Sequence, residues 1–158
     1  MTKKIKKIIV ACDCSEYSVQ ILSYAAEVAL ALGAEMAVTN VINRIELDRI
    51  ERALGAYPVF NIKDYVATQK EDRTKIIEKM IQATGQADLF KKIDFRIGVP
   101  FQGLIEAIKQ EKADLIIMGN KGHSNLAGVL LGSCAEKLFR RCPVALLSVR
   151  VKKERRRL

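Results

Sequence analysis

The sequence holds no tryptophan, one histidine and three prolines, and aromatic residues make up only 6% of it. With His123 alone, at most one Ser-His-Asp or Cys-His arrangement can be completed. So few aromatics argue against the stacking platform used to bind single-stranded nucleic acid. Four cysteines among 158 residues do not make a disulfide scaffold, which is short and cysteine-dense. Cys12, Cys14, Cys134 and Cys142 also lack, with His123, the paired spacing of a zinc site. They read as small buried residues, with Cys12 and Cys14 on one side of a strand. No segment approaches the roughly 18 continuous apolar residues of a membrane helix. Residues 8–12 are the only apolar run behind the basic start, short of the roughly 7–15 residues of a secretory h-region. A cytoplasmic location is expected.

Charge is plentiful, and its placement matters more than its sum. Lys plus Arg is 27 against 18 for Asp plus Glu, an excess of +9. Lys3, Lys4, Lys6 and Lys7 lie at one end. Arg150, Lys152, Lys153, Arg155, Arg156 and Arg157, against Glu154, lie at the other. The two ends account for the whole excess, and residues 8–149 balance to zero. Nucleic acid, the first partner that a basic chain suggests, is therefore disfavoured.

The rest of the chain alternates short apolar β-rich runs with helical periodicity, the signature of a parallel α/β sheet. Strands are expected over 6–13, 35–42, 92–99, 115–118 and 144–151. Their cores, such as Ile8, Ile9, Val10 and Ala11, are apolar on both faces, as suits strands covered by helices on both sides. Ser15 is a candidate N-cap for a helix that Gly33 ends. Further helices are expected over 64–84, 102–111 and 133–141. Residues 43–54 could form a short amphipathic helix, and the stretch to residue 63 reads as loop. One domain over residues 1–151, followed by a basic tail over 152–158, is the expected organisation.

The chemistry lies after the fourth strand. Gly119 and Gly122 are followed, nine residues later, by Gly132 and Ser133 at a helix start. Ligands of open α/β sheets bind outside the carboxyl ends of the strands. Helix N-termini offer N–H groups and partial positive charge to phosphate, and glycine lets a backbone amide approach closely. The arrangement is neither a Walker A loop nor G-x-G-x-x-G. It reads as a phosphate cradle, with glycines that merely permit a turn as the alternative. Lys121 reads as solvated, and His123 as an exposed loop residue or a phosphate hydrogen-bonding partner.

These residues resemble the universal stress protein family in its nucleotide-binding branch, whose signature G-x2-G-x9-G-[ST] is met by Gly119, Gly122, Gly132 and Ser133. The resemblance extends to Ile9, Val10, Ala11, Cys12, Asp13 and Ser15 near the start, Gly98 and Pro100 after the third strand, and Cys142, Pro143 and Val144 before the last. It implies a Rossmann-like, adenine nucleotide alpha-hydrolase-like sheet of five parallel strands in the order 3-2-1-4-5, with helices on both faces. ATP or AMP would sit between strands 1 and 4, with Mg²⁺ as a candidate companion of the phosphates. Asp13 would meet the ribose or adenine side and Val41 the adenine. Gly119, Gly122, Gly132 and Ser133 would hold ribose and phosphates, with His123 beside them. A homodimer through the last strand, Val144, Ala145, Leu146, Leu147, Ser148 and Val149, is also implied. Such a bare apolar edge invites pairing in any case. Asn40 stands where the family often has histidine, with packing rather than binding as the expected effect. Cys12 and Cys14 replace smaller or turn-forming residues.

The reading is of a dimeric stress-response or regulatory module that depends on ATP or AMP. Slow ATP hydrolysis is the most expected of it, with no catalytic base to name. The alternatives are a dimeric interaction scaffold of the same family that binds no nucleotide, and weak nucleic-acid binding through the basic ends.

Overall fold

The computed structural model describes residues 3–122 and 130–152. Its elements in chain order are β1 (Lys7–Ala11), α1 (Ser18–Leu32), β2 (Glu35–Asn43), α2 (Arg44–Leu54), α3 (Ile62–Ala83), β3 (Phe90–Gly98), α4 (Pro100–Glu111), β4 (Leu115–Gly119), α5 (Ser133–Arg141) and β5 (Ala145–Val149). A single 3₁₀ turn, Ala87–Leu89, precedes β3. The strands form one parallel sheet in the order β3-β2-β1-β4-β5.

Alternation along the strands divides the core in two. Ile8, Val10, Met36, Val38, Leu115 and Ile117 face α1 and α3, where they meet Leu22, Ala25, Ile77 and Ile81. Ile9, Ala37, Ile116 and Met118 face α4 and α5, where they meet Leu104, Ile108, Ala135 and Leu138. Both faces are covered, which is why these strands read as unbroken apolar runs.

Several boundaries move for identifiable reasons. Ser15 does not cap α1. The cap position is Tyr17, whose side chain does not cap the helix, and the Ser15 amide donates to Asp13 Oδ1 at 2.9 Å. Asn61 does cap α3, accepting from Lys63 N and Asp64 N, so that helix begins before the expected Asp64. Asn43 caps α2 through Ile45 N. β3 starts at Phe90, which pairs with Met36 ahead of a bulge. β1 ends at Ala11, so Cys12 and Cys14 lie in the turn beyond the strand. Ile76 of the expected α3 stripe is exposed, while Ile77 and Ile81 are buried.

Part of the N-terminal basic cluster belongs to the folded body. Lys3 Nζ lies 2.7 Å from Asp114 Oδ1 and Lys7 Nζ lies 3.0 Å from Glu111 Oε2. The Lys6 and Lys7 amides donate to Asp114 Oδ2 at 3.0 and 3.1 Å. These contacts bind the start of β1 to the α4–β4 connection.

Candidate functional site

The sheet order reverses between β1 and β4, so the turn after β1 and the loop after β4 open on the same carboxyl edge. Asp13 leads the first turn. Its Oδ1 accepts from Ser15 N at 2.9 Å and from Ser18 Oγ at 3.1 Å, which closes an Asx turn onto the first residue of α1. Its Oδ2 faces the second glycine: a Cβ on Gly122 would lie 2.5 Å from that oxygen. The carboxylate also reaches the field of Cys134 in the first turn of α5. That thiol is pushed up to about 11, chiefly by burial and then by the Asp13 charge.

A Cβ on Gly119 would crowd Ile21 Cδ1 at 2.7 Å and Lys121 O at 3.0 Å. Gly132 differs. It has φ −68° and ψ 158°, which any residue adopts, and a Cβ on it would come no nearer than 3.6 Å to Asn120 O. Packing does not demand glycine at 132. Its amide donates to Asn120 O at 2.8 Å, and the first amide bonded back within α5 is that of Glu136, to Gly132 O. The N–H groups of Ser133, Cys134 and Ala135 therefore precede the helical ladder and point out of its end. Ser133 is exposed there.

Asn120 was not singled out from sequence, yet it organises the loop. Its amide donates to Val149 O at 3.0 Å and its Oδ1 accepts from Val151 N at 3.1 Å. Its Nδ2 donates to Leu130 O at 3.1 Å. One residue thus ties the end of β4 to β5 and to the returning limb of the loop. An Asn directly after a strand-ending glycine was the available signal. His123 falls within residues 123–129 and lies outside the described residues, as do residues 153–158 of the basic tail.

Val41 lies at the carboxyl end of β2 and packs on the α4–α5 face alongside Leu131 and Cys134. Gly103 in α4 makes room for it, since a Cβ at 103 would meet Val41 Cγ2 at 2.9 Å. On the other face, Asn40 is 1% exposed. Its Nδ2 donates to Cys12 O at 2.8 Å and its Oδ1 accepts from Arg73 Nη1 at 2.8 Å. Among the described residues, the buried hydroxyls Ser15 Oγ and Thr39 Oγ1 have no hydrogen-bond partner.

Comparison with known proteins matches residues 4–150 to the model of the universal stress protein family. The chain belongs to the universal stress protein family. A relative, universal stress protein Rv1636 of Mycobacterium tuberculosis, is 30% identical over 146 residues, covering 91% of this chain and 95% of that one. The solved structure of MJ0577, whose counterpart sequence is from Methanocaldococcus jannaschii, superposes with a TM-score of 0.76 at 23% identity, covering 96% and 100% of the two chains. A universal stress protein solved in complex with cAMP superposes with a TM-score of 0.63 at 23% identity, covering 94% and 98%. These likenesses extend over nearly the whole fold, and the sheet order expected of the family is the one observed.

The arrangement has the chemistry to hold a ribose and a phosphate. A carboxylate accepts hydrogen bonds from ribose hydroxyls. A helix start with outward N–H groups and a serine holds phosphate. Gly119 lets Ile21 pack against the loop, and Gly122 lets the Asp13 carboxylate lie against it. Among the described residues no group of three or more His, Cys, Asp and Glu side chains gathers to hold a metal ion, and no helix is long and apolar enough to cross a membrane.

Proposed function

We propose that this universal stress protein binds ATP or AMP at the carboxyl edge of its sheet, between Asp13 and the start of α5, and acts as a nucleotide-responsive regulatory module. The observation that carries the reading is the convergence of Asp13 Oδ2, Gly122 and the first turn of α5. The complex of a structural neighbour with cAMP supports the choice of an adenine nucleotide.

In this reading Asp13 accepts from the ribose hydroxyls and Val41 borders the adenine. Gly119 and Gly122 let the ligand approach the backbone, and Gly132 and Ser133 receive the phosphates. Backbone amides and the helix start then attract the anion, so the excess charge at the chain ends is not required. Mg²⁺ would come with the phosphates. The module binds rather than turns over: any hydrolysis is slow, and no residue is assigned as its base.

The same reading includes a homodimer through β5. β5 is the sheet's outer strand beyond β4, and Leu146 and Leu147 on it are only half-buried. The direct test is acid extraction of freshly purified protein, with chromatographic identification of what is released. Adenine nucleotide in stoichiometric amount supports the reading. Protein free of nucleotide that also gains no thermal stability from added ATP or AMP overturns it and leaves the interaction scaffold.

A further inference from the structure

β3 closes one side of the sheet. It bonds to β2 alone, and among the described residues no strand pairs with its outer edge. It is nine residues long, as long as β2 inside the sheet. Such an edge leaves alternate N–H and C=O groups facing outward, a template for one more strand. Its two faces are finished differently. On the α4 face Lys92 Nζ reaches Glu111 Oε1 at 2.6 Å, Arg96 Nε reaches Asp94 Oδ2 at 2.7 Å and Arg96 Nη2 donates to Gln110 Oε1 at 2.8 Å. On the α3 face Phe90, Ile93 and Phe95 are only half-buried. Ile97, on that face by alternation, is 43% exposed, and Ile76 of α3 is 42% exposed.

An open groove of about 780 Å³ runs between the start of this edge strand and the C-terminal half of α3. Ile76 and Ile81 from the helix and Phe90 and Ile93 from the strand give it an apolar lining. Lys75, Lys79, Lys91 and Lys92 also line it, against a single acid, Glu78. Lys75 is held by Glu71 at 2.8 Å, and Lys92 by Glu111. Lys79 on α3 and Lys91 on β3, one from each wall, are exposed and have no ion pair among the described residues. The positive charge continues along the amino edge of the sheet. Glu111, the partner of Lys92, lines a second hollow together with Lys4, Lys6, Lys7 and Lys112. The nucleotide site opens on the opposite, carboxyl edge, so the groove is independent of that reading.

We propose that this groove and the outer edge of β3 receive an extended, acidic segment of a partner protein, which adds to the five-stranded sheet as one more strand. Main-chain bonds to the β3 edge supply affinity, and the alternation of the segment's side chains supplies specificity. Its apolar side chains enter the lining of Ile76 and Ile93, and its carboxylates meet Lys79 and Lys91. Charge selects this occupant over those that the chain itself offers. β3 carries Lys91, Lys92 and Arg96 against Asp94, so the same edge of a second copy brings further positive charge, as does the basic tail beyond Arg150. Lysines on an edge deter pairing with like chains while remaining complementary to an acidic strand. A nucleic acid matches the charge but has no peptide edge to pair with β3.

The test titrates the full-length, isotopically labelled protein with a synthetic peptide of about seven residues that alternates glutamate and valine. The expected result is saturable binding, with amide hydrogen exchange slowed at alternate residues along β3 and unchanged along β5. The same peptide N-methylated at every amide keeps its charge and loses its donors, and should bind about tenfold more weakly or worse. A lysine–valine counterpart should do no better. Lys79→Glu combined with Lys91→Glu changes only exposed side chains. That variant should keep the melting temperature of the parent and lose about tenfold in affinity for the glutamate peptide. No binding of the glutamate peptide at millimolar concentration overturns the proposal. Equal binding of the N-methylated peptide, or unchanged exchange along β3 at saturation, overturns strand addition. Unchanged affinity in the double variant overturns selection by charge. Tighter binding of an oligothymidylate than of the glutamate peptide at the same residues, or a dimer that protects β3 without peptide, overturns the choice of occupant.

Discussion

The Asp13 carboxylate and Gly122 occupy a shared space at the carboxyl edge of the sheet, with Oδ2 only 2.5 Å from where a Cβ of residue 122 would lie. The contact links the turn after β1 to the loop after β4. It also separates two kinds of glycine in the motif: 119 and 122, where a Cβ would crowd Ile21 and Asp13, and 132, where a Cβ would come no nearer than 3.6 Å to another group.

That separation gives the first prediction. Gly132→Val should fold with a melting temperature close to that of the parent, because its backbone is in an ordinary region and its surroundings are open. Its affinity for ATP should nonetheless fall by about tenfold or more, the equivalent of about 1.4 kcal/mol. Gly122→Ala should lose both stability and affinity, because its Cβ displaces Asp13. Thermal melts paired with titration of each variant distinguish the two cases. Equal behaviour of the variants contradicts the assignment.

Asp13 is a second point of attack. Asp13→Asn keeps an oxygen for Ser15 N and Ser18 Oγ but removes the charge that strengthens bonds to ribose hydroxyls. Loss of a hydrogen bond to a charged group costs about 1.5–3 kcal/mol, so ATP affinity should drop by about 10- to 150-fold. Asp13→Ala should in addition lower stability by about 1 kcal/mol through loss of the turn and its hold on α1. Chemical denaturation of both variants checks this.

Asn40 predicts a stability effect. Asn40→Ala leaves Cys12 O and the Arg73 guanidinium without their partner, at a site 1% exposed. The expected loss is about 1–3 kcal/mol in urea unfolding. A change within error of zero would show that the buried amide does not organise the turn.

Acid should reveal the anchor at the other end of β1. The Lys3 ammonium, followed by the Lys6 and Lys7 amides, holds the Asp114 carboxyl down at about 2, against an ordinary value of 3.8. A carboxyl lowered in the folded state adds stability above its unfolded value and loses it as pH falls through the folded one. The parent should therefore lose stability between about pH 4 and pH 2 through this group. Asp114→Asn should start less stable at neutral pH and decline less across that window. Equilibrium unfolding at a series of pH values measures the difference.

Much of this was legible in the sequence because the relevant signals are local. Apolar runs such as residues 115–118 marked strands buried on both faces, and Gly119, Gly122, Gly132 and Ser133 marked the loop and the start of α5. What was hidden depends on tertiary contacts. The third strand is expected from Lys92, but pairing of Phe90 with Met36 on β2 extends β3 to Phe90. Ser15 has the chemistry of a cap, but α1 begins only at Ser18, with Tyr17 in the cap position. The role of Asn120 rests on its partners on β5 and on the returning loop, which only the fold brings to it. Asn40 read as a packing substitution, and its bonds to Cys12 and Arg73 join two elements far apart in sequence.

The most direct test of the central claim is calorimetric titration of ATP and AMP into nucleotide-stripped, reduced protein, run alongside Gly132→Val. The account predicts saturable binding of one adenine nucleotide per chain, with a Kd of micromolar order, that weakens by about tenfold or more in the variant. Absence of binding by the parent, or equal binding by the two proteins, would contradict it.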